Sequence, residues 1–314
     1  MQKKKLKILL ITHRDLDGVG CDILIKSVFG RENVKTFSCY YDTVNEVALK
    51  EGLEKEKEYD LIIISDISIN LEVAEKFNSI KNKVILLDHH DSVMELNKYD
   101  FAKVILEENG EKTCGTKLVW NYLLDNFYDD TLDISNGDFY HINNFIENIR
   151  LYDTWEWKKK RNKYPIIMQN LYDIYEFEKF SELFIDKIKN CRGLIDKTDE
   201  FLLEIEQSRK ERYFDEKINE VYTQLKWGYN VGFLKAEQYV SEVANYILDN
   251  KPELDLIVVL TSSRISFRTN KPNVDVGMLA KSFNGGGRQA TAGCEYKENY
   301  MKDYIDIVFD IKKK

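Results

Sequence analysis

The first hundred residues alternate between short apolar runs and longer stretches of helical spacing. Residues 6–12 form a β-prone apolar run, and residues 18–29 repeat apolar positions along one helix face. Residues 33–40 read as a second strand. The runs DLIIIS at 60–65 and KVILL at 83–87 are short, continuous and rich in Ile and Leu, like strands buried on both faces. Residues 70–80 between them have helical spacing, and residues 104–106 add one more short strand. Strands alternating with helices predict an α/β fold around a parallel sheet, with ligands at the carboxyl ends of its strands.

From about residue 164 to 227 the pattern changes. Strands vanish and charged, helix-favouring residues dominate, as at 201–220. This predicts a helical connector with a solvated charged face. A smaller α/β unit is expected from Tyr229 onward. Its strands fall at 231–234, 254–261 and 264–269, the last two joined by a Ser-Ser turn. Its helices fall at 240–248 and 274–283, followed by a glycine run and a last helix near 304–311. The predicted organisation is three parts: residues 1–163, 164–228 and 229–314.

With 314 residues the chain has room for two cores. Acidic residues outnumber basic ones by 54 to 46, and the net charge is -8. A protein that coats a nucleic-acid duplex carries a basic excess, so that class is excluded, while a short anionic substrate held in a local pocket is not. Cys21, Cys39, Cys114, Cys191 and Cys294 are scattered without CxxC spacing, which reads as reduced thiols of a cytoplasmic protein. The basic start and apolar run at the N-terminus are too short for a signal segment and lead straight into charged residues, so they read as a strand. No segment is long and apolar enough to span a membrane.

The chemistry lies in where polar residues fall relative to the strands. His13-Arg14-Asp15-Leu16-Asp17-Gly18 follows the first strand, Asp66 follows DLIIIS, and Asp88-His89-His90 follows KVILL. Three of the four histidines and several aspartates thus converge on one crevice. An Asp after a strand is commonly a turn residue or helix cap, and a single His is commonly structural. The joint occurrence is different, because clustered carboxylates repel one another unless cations are present. Two divalent ions would relieve that repulsion. Mixed oxygen and nitrogen donors suit manganese, with zinc, cobalt or magnesium as alternatives. Paired metals about 3.5–4 Å apart are a recurrent device for phosphoryl chemistry.

These motifs resemble those of the DHH phosphoesterase superfamily, with Asp153 in Tyr152-Asp153-Thr154-Trp155 matching the fourth motif of its N-terminal domain. Ser266-Phe267-Arg268-Thr269 and Gly285-Gly286-Gly287-Arg288 resemble its DHH-associated substrate domain. The run LYDTWEW at 151–157 is similar to the nanoRNase B-type branch, exonucleases of short oligoribonucleotides. The resemblance implies that His13 and Asp15 serve one metal, Asp17 and His89 the other, with Asp66 bridging and Asp153 adding a carboxylate. His90 would face the scissile phosphate, and Asp88 would orient the histidines. Arg268, Gly285, Gly286, Gly287 and Arg288 would hold the substrate in a cleft between domains. The family usually has a histidine after the three glycines, where this chain has Arg288. If that position only contacts phosphate, an arginine can replace the histidine; if it needs histidine's geometry or proton, activity or substrate choice would differ, because arginine transfers no proton.

The implied activity is a two-metal phosphodiesterase that degrades short single-stranded RNA to 5′-mononucleotides. A linear or cyclic dinucleotide, or a 3′-phosphorylated nucleotide, is the alternative substrate. A non-catalytic binding module is a third reading, disfavoured because the metal-ligand set is complete. No membrane partner is expected, and a homodimer is left open. His141 is expected to be structural. Cys114-Gly115-Thr116 opens a helix and could help position the cleft, although a helix start accounts for it, and Trp155 and Trp157 read as core packing or base stacking.

Overall fold

The computed structural model of the protein describes residues 6–131, 136–190 and 193–296 together with Ile305. The chain divides into two compact units between Leu203 and Glu204. In the first, strands β1 (Ile8–His13), β2 (Val34–Cys39), β3 (Leu61–Ser65), β4 (Val84–Asp88) and β5 (Ala102–Val104) form one sheet in the order β2-β1-β3-β4-β5. Every pairing is parallel. Helix α1 (Leu16–Phe29) follows β1, and α2 (Leu71–Phe77) lies between β3 and β4.

Strand alternation explains why both faces are covered. Ile8 and Leu10 pack into one cluster with Val19 and Ile23 of α1. Leu9 and Ile11 pack into another with Val73, Ala74 and Phe77 of α2. All four β1 residues are fully buried, which is why the run reads as continuously apolar. Helices α3 (Gly115–Thr131), α4 (Asn136–Asp153) and α5 (Tyr164–Lys189) contribute to the α1 side. The sheet order places β1 between β2 and β3. The chain therefore leaves β1 toward one side and later returns on the other. The crevice opened at that point lies above the carboxyl ends of β1 and β3, where α/β sheets bind ligands.

The strands expected in this half occur within two residues of their predicted positions. His13 and Asp88 prove to be the last residues of their strands. Helix α2 is shorter than expected, capped by Asn70, whose side chain accepts from Val73 N at 2.9 Å, and followed by 3-10 turns over Asn78–Lys83. Helix α5 breaks at Glu176, which takes φ 58° and ψ 174°.

Helix α6 (Lys197–Lys217) runs across the division into the second unit. There β6 (Tyr222–Lys226), β7 (Tyr229–Lys235), β8 (Leu256–Leu260), β9 (Arg264–Arg268), β10 (Gly286–Arg288) and β11 (Thr291–Glu295) form a mixed sheet. Its order is β10-β11-β9-β8-β7-β6, with only β7 and β8 parallel. Helices α7 (Val240–Asn250) and α8 (Val276–Lys281) cover opposite faces.

One expectation is corrected here. Residues 222–226 are not helical but form an exposed edge strand, paired with β7 through Trp227 and Gly228 at φ 55° and 82°. Two positive φ values suit a two-residue hairpin. The strand has no buried face, so it carries no apolar alternation to reveal it. Of the glycine run, Gly286 and Gly287 lie in β10, antiparallel to β11. The helix expected near 304–311 lies outside the described residues except for Ile305. No helix among the described residues is long and apolar enough to cross a membrane.

The glycines of this run differ in what they permit. A Cβ at Gly285 would meet Gly293 O at 2.2 Å, and one at Gly287 would meet Ala292 Cα at 2.4 Å, whereas one at Gly286 meets nothing within 4 Å. Gly285→Ala is therefore expected to destabilise the protein by about 1–3 kcal/mol in urea unfolding. Gly286→Ala should stay within roughly 0.5 kcal/mol. Equal effects at the two positions would contradict this packing.

Candidate metal centre

Three strand ends deliver the polar residues to one place. His13 closes β1, Asp66 follows β3, and Asp88 closes β4. Asp66 turns the chain at φ 58°, a left-handed conformation that Asp tolerates, and its N–H donates to Leu87 O at 3.0 Å.

Asp15 has two tasks. It is the N-cap of α1, with Oδ1 accepting from Gly18 N at 2.9 Å, and its Oδ2 lies 2.6 Å from His13 Nδ1. Asp17, in the first turn of α1, is held from the far side of the fold. Gly115 N and Thr116 N at the start of α3 donate to its two oxygens at 2.6 and 2.8 Å. Thr116 Oγ1 also donates to the Asp17 carbonyl at 2.8 Å. The Cys114-Gly115-Thr116 start thus orients a site carboxylate. Gly115 has no room for a side chain, since a Cβ would lie 2.5 Å from Asp66 Cβ.

Asp88 faces the histidines. Its Oδ1 accepts from the backbone N–H of His89 at 2.6 Å and of His90 at 3.1 Å, and lies 2.7 Å from His90 Nδ1. Ser68 Oγ donates to the other oxygen. His89 Nε2 lies 3.1 Å from Asp66 Oδ1 and 3.5 Å from Asp17 Oδ2, while its Nδ1 lies 3.6 Å from Asp153 Oδ2. Asp153 is the last residue of α4. Behind it, Arg150 is fully buried and bonds Glu147 on α4 and Glu156 beyond the helix end, at 2.8 and 2.6 Å.

Among the described residues three sets of donor atoms lie within 4.8 Å of one another: His13-Asp15-Asp66, Asp17-His89-Asp153 and Asp66-His89-His90. Asp66 joins them, with Oδ2 at 3.8 Å from His13 Nδ1 and Oδ1 near His89. Asp66 Oδ2 is buried and has no hydrogen-bond partner among the described atoms. Such an oxygen is costly unless a cation meets it.

The electrostatics point the same way. Burial, then the charges of Asp15 and Asp17, push the Asp66 carboxyl well above its usual range. Burial and the charges of Asp17 and Asp15 push Asp153 up to about 8. Burial also acts on Asp15 and Asp88, but contact with His13 and His90 respectively outweighs it and holds both below the usual value. The Asp88 hydrogen bond raises His90, whereas burial lowers His89. Carboxylates made reluctant to ionise by one another are groups that divalent cations would return to the charged state. The donor set therefore fits such ions.

Residues 7–138 match the family described as DHH family, N-terminal domain. Over 96% of its length the chain is 31% identical to oligoribonuclease NrnB of Bacillus subtilis strain 168, covering 76% of that protein. The chain belongs to the DHH family of phosphoesterases. It is also 24% identical to a 3′,5′-cyclic-nucleotide phosphodiesterase of Helicobacter pylori, across 97% of this chain and 99% of that one. RecJ from Thermus thermophilus, solved in complex with Mn2+, shares the fold at a TM-score of 0.51 and 13% identity, over 98% of this chain and 51% of RecJ.

The second unit of this DHH protein places Arg268 on β9. Its guanidinium donates to Ser241 Oγ at 2.5 Å, and its buried Nε has no partner among the described atoms. Burial, then the charge of Arg264, lowers its pKa. Both arginines, with Ser241, Ser266, Gly286 and Thr291, line a cavity of about 270 Å³. Arg288 is exposed and lies outside that lining. Gly285 and Gly287 are accounted for by close backbone approach. His141 is half-buried on α4 beside Tyr140. Trp155 is exposed, at φ 62°.

Of two further features of the site, the sequence reading raised one without settling it and missed the other. The Gly115-Thr116 contact with Asp17 spans about a hundred positions, and nothing local signals it. Tyr41, in the turn after β2, lies over His13 with ring centroids 5.0 Å apart, and its hydroxyl is 3.4 Å from His90 Nε2. A tyrosine just past a strand end was the available signal.

The raised carboxyls give the metal-free protein a pH dependence. A group whose folded pKa is raised stabilises the fold fully below its unfolded value, and that stability is lost as pH rises through the folded value. For Asp153 the window runs from 3.8 to about 8. Thermal melts of chelated protein should show stability falling across it, with a shallower slope in Asp153→Asn. An unchanged slope in that variant would refute the assignment. Gly115→Ala is expected to weaken divalent-metal affinity at least tenfold by calorimetry, because it displaces Asp66 and Asp17 together.

Proposed function

We propose that this protein degrades short single-stranded RNA to 5′-mononucleotides by two-metal phosphodiester hydrolysis. The observation that carries this reading is the pair of donor triads joined at Asp66. His13, Asp15 and Asp66 would hold one ion. Asp17, His89 and Asp153 would hold the other, with Asp66 within reach of both sets. The likeness to oligoribonuclease NrnB supports the choice of substrate. Manganese is the favoured ion, on the mixed carboxylate and imidazole donors and on the Mn2+ complex of Thermus RecJ.

When bound, the ion pair supplies positive charge to the phosphate oxygens and activates a water for in-line attack. The chain's own residues set the geometry. Asp88 fixes the His90 ring through Nδ1, leaving Nε2 to meet the scissile phosphate. Ser68 and two backbone N–H groups hold Asp88 in turn. In the second unit, Arg268 and Arg264 supply cationic donors to their own cavity, with Gly286 leaving open space beside them. Arg288 offers an additional cation at the position where the family usually has histidine. The net acidity of the chain suits a short substrate held by local charge.

A second reading keeps the chemistry and changes the substrate to a cyclic or linear dinucleotide. The likeness to the Helicobacter 3′,5′-cyclic-nucleotide phosphodiesterase favours a small cyclic nucleotide within this reading.

One assay separates the two. Protein stripped of metal and resupplied with manganese meets end-labelled RNAs of two to about ten nucleotides, with cyclic nucleotides in parallel. Stepwise release of mononucleotides is expected from RNA. Asp88→Ala and His89→Ala should each lose at least a hundredfold in kcat. Cleavage confined to dinucleotides or cyclic species would move the substrate to the second reading. No cleavage with any divalent ion would refute both.

A further inference from the structure

Of the four neighbouring strands from β2 to β4, only β2 contributes no residue to the motifs. Its end nevertheless reaches them. Arg14 N, in the turn after β1, donates to Cys39 O at 3.1 Å, tying the end of β2 to that turn. The next residues form a pinned bend. Thr43 N and Val44 N both donate to Tyr40 O at 3.0 Å, and Tyr40 N donates to Thr43 Oγ1 at 3.1 Å. Tyr41 projects from this bend. Its ring lies 5.0 Å from the His13 ring and 6.3 Å from the His90 ring, edge-on to the latter. Its hydroxyl lies 3.4 Å from His90 Nε2, the ring nitrogen that Asp88 leaves free.

Tyr41 is 57% exposed, so burial in the core does not account for its placement. A tyrosine hydroxyl is a protonated donor at neutral pH. Two groups 3.4 Å apart can both reach a single acceptor oxygen at about 2.8 Å. We propose that Tyr41 is a phosphate-contact residue, whose hydroxyl donates to a non-bridging oxygen of the phosphate that His90 faces. The inference rests on the phosphodiesterase reading and adds a donor outside the family motifs. The bend supplies the hydroxyl already in place, so little reorganisation accompanies binding.

The test uses Tyr41→Phe, which keeps the ring and removes only the oxygen. Two readouts are taken on manganese-loaded protein: affinity for inorganic phosphate, and kcat and KM on a dinucleotide and its two phosphorothioate diastereomers. Tyr41→Phe is expected to weaken phosphate binding and lower kcat by roughly ten- to hundredfold, with manganese stoichiometry unchanged. Sulfur is a poor acceptor. The diastereomer bearing sulfur at the contacted position should therefore lose less, relative to the oxygen substrate, in the variant than in the wild type. Wild-type phosphate affinity and kcat in Tyr41→Phe would overturn the inference. Should the wild type cleave no nucleotide while Tyr41→Phe still weakens phosphate binding, the substrate reading falls and the phosphate contact stands.

Discussion

The crowding of carboxylates is the constraint on which the rest of this structure depends. Asp17, Asp66 and Asp88 are each almost wholly buried, yet Asp66 lies within reach of His13, His89 and the neighbouring acids. Negative charges in a space of low polarity repel one another and lose hydration together. Hydrogen bonds relieve part of this. Asp17 takes two backbone N–H groups from α3, and Asp88 takes two backbone N–H groups and a serine. Asp66 Oδ2 receives nothing among the described atoms. The imbalance is resolved only by protons or by cations, and the spacing of the donors favours cations.

The fold makes the crowding possible by dividing the work between backbone and core. Four consecutive apolar residues in β1 are buried on both faces of that inner strand, so the position of His13 is set by packing rather than by its own contacts. The order β2-β1-β3-β4-β5 then opens a crevice between the turns after β1 and β3. Helix α3 returns to that crevice from the far end of the sheet-forming sequence, and its first two N–H groups meet Asp17 where the helix dipole is positive. Helix α4 brings Asp153 in from the side, braced by the buried Arg150. Each of these side chains is thus placed by an element whose stability has an independent origin in the core.

The strands and their end residues were legible because a buried parallel strand announces itself as a compact apolar run, and the polar residue that terminates it stands out. His13, Asp66 and Asp88 were found in this way. Contacts made across the fold were not legible. Gly115 and Thr116 look like any helix start, and Tyr41 looks like any surface aromatic, until the sheet brings them to the crevice. The edge strand Tyr222–Lys226 was missed because it buries no face. The glycine run reads as a substrate contact, and Gly285 and Gly287 also lie too close to the backbone of β11 for a side chain, which no local pattern announces. Pattern reading finds what is buried along a strand. It passes over what long-range closure brings together.

The central claim is that the two donor triads form one paired-metal centre through Asp66. Manganese titration of the stripped protein, followed by calorimetry and electron paramagnetic resonance, tests it most directly. Two ions per chain are expected, with a signal broadened by exchange between them, and Asp66→Asn should remove the exchange and weaken at least one site. Binding of a single ion, or two uncoupled ions indifferent to Asp66→Asn, would contradict the account.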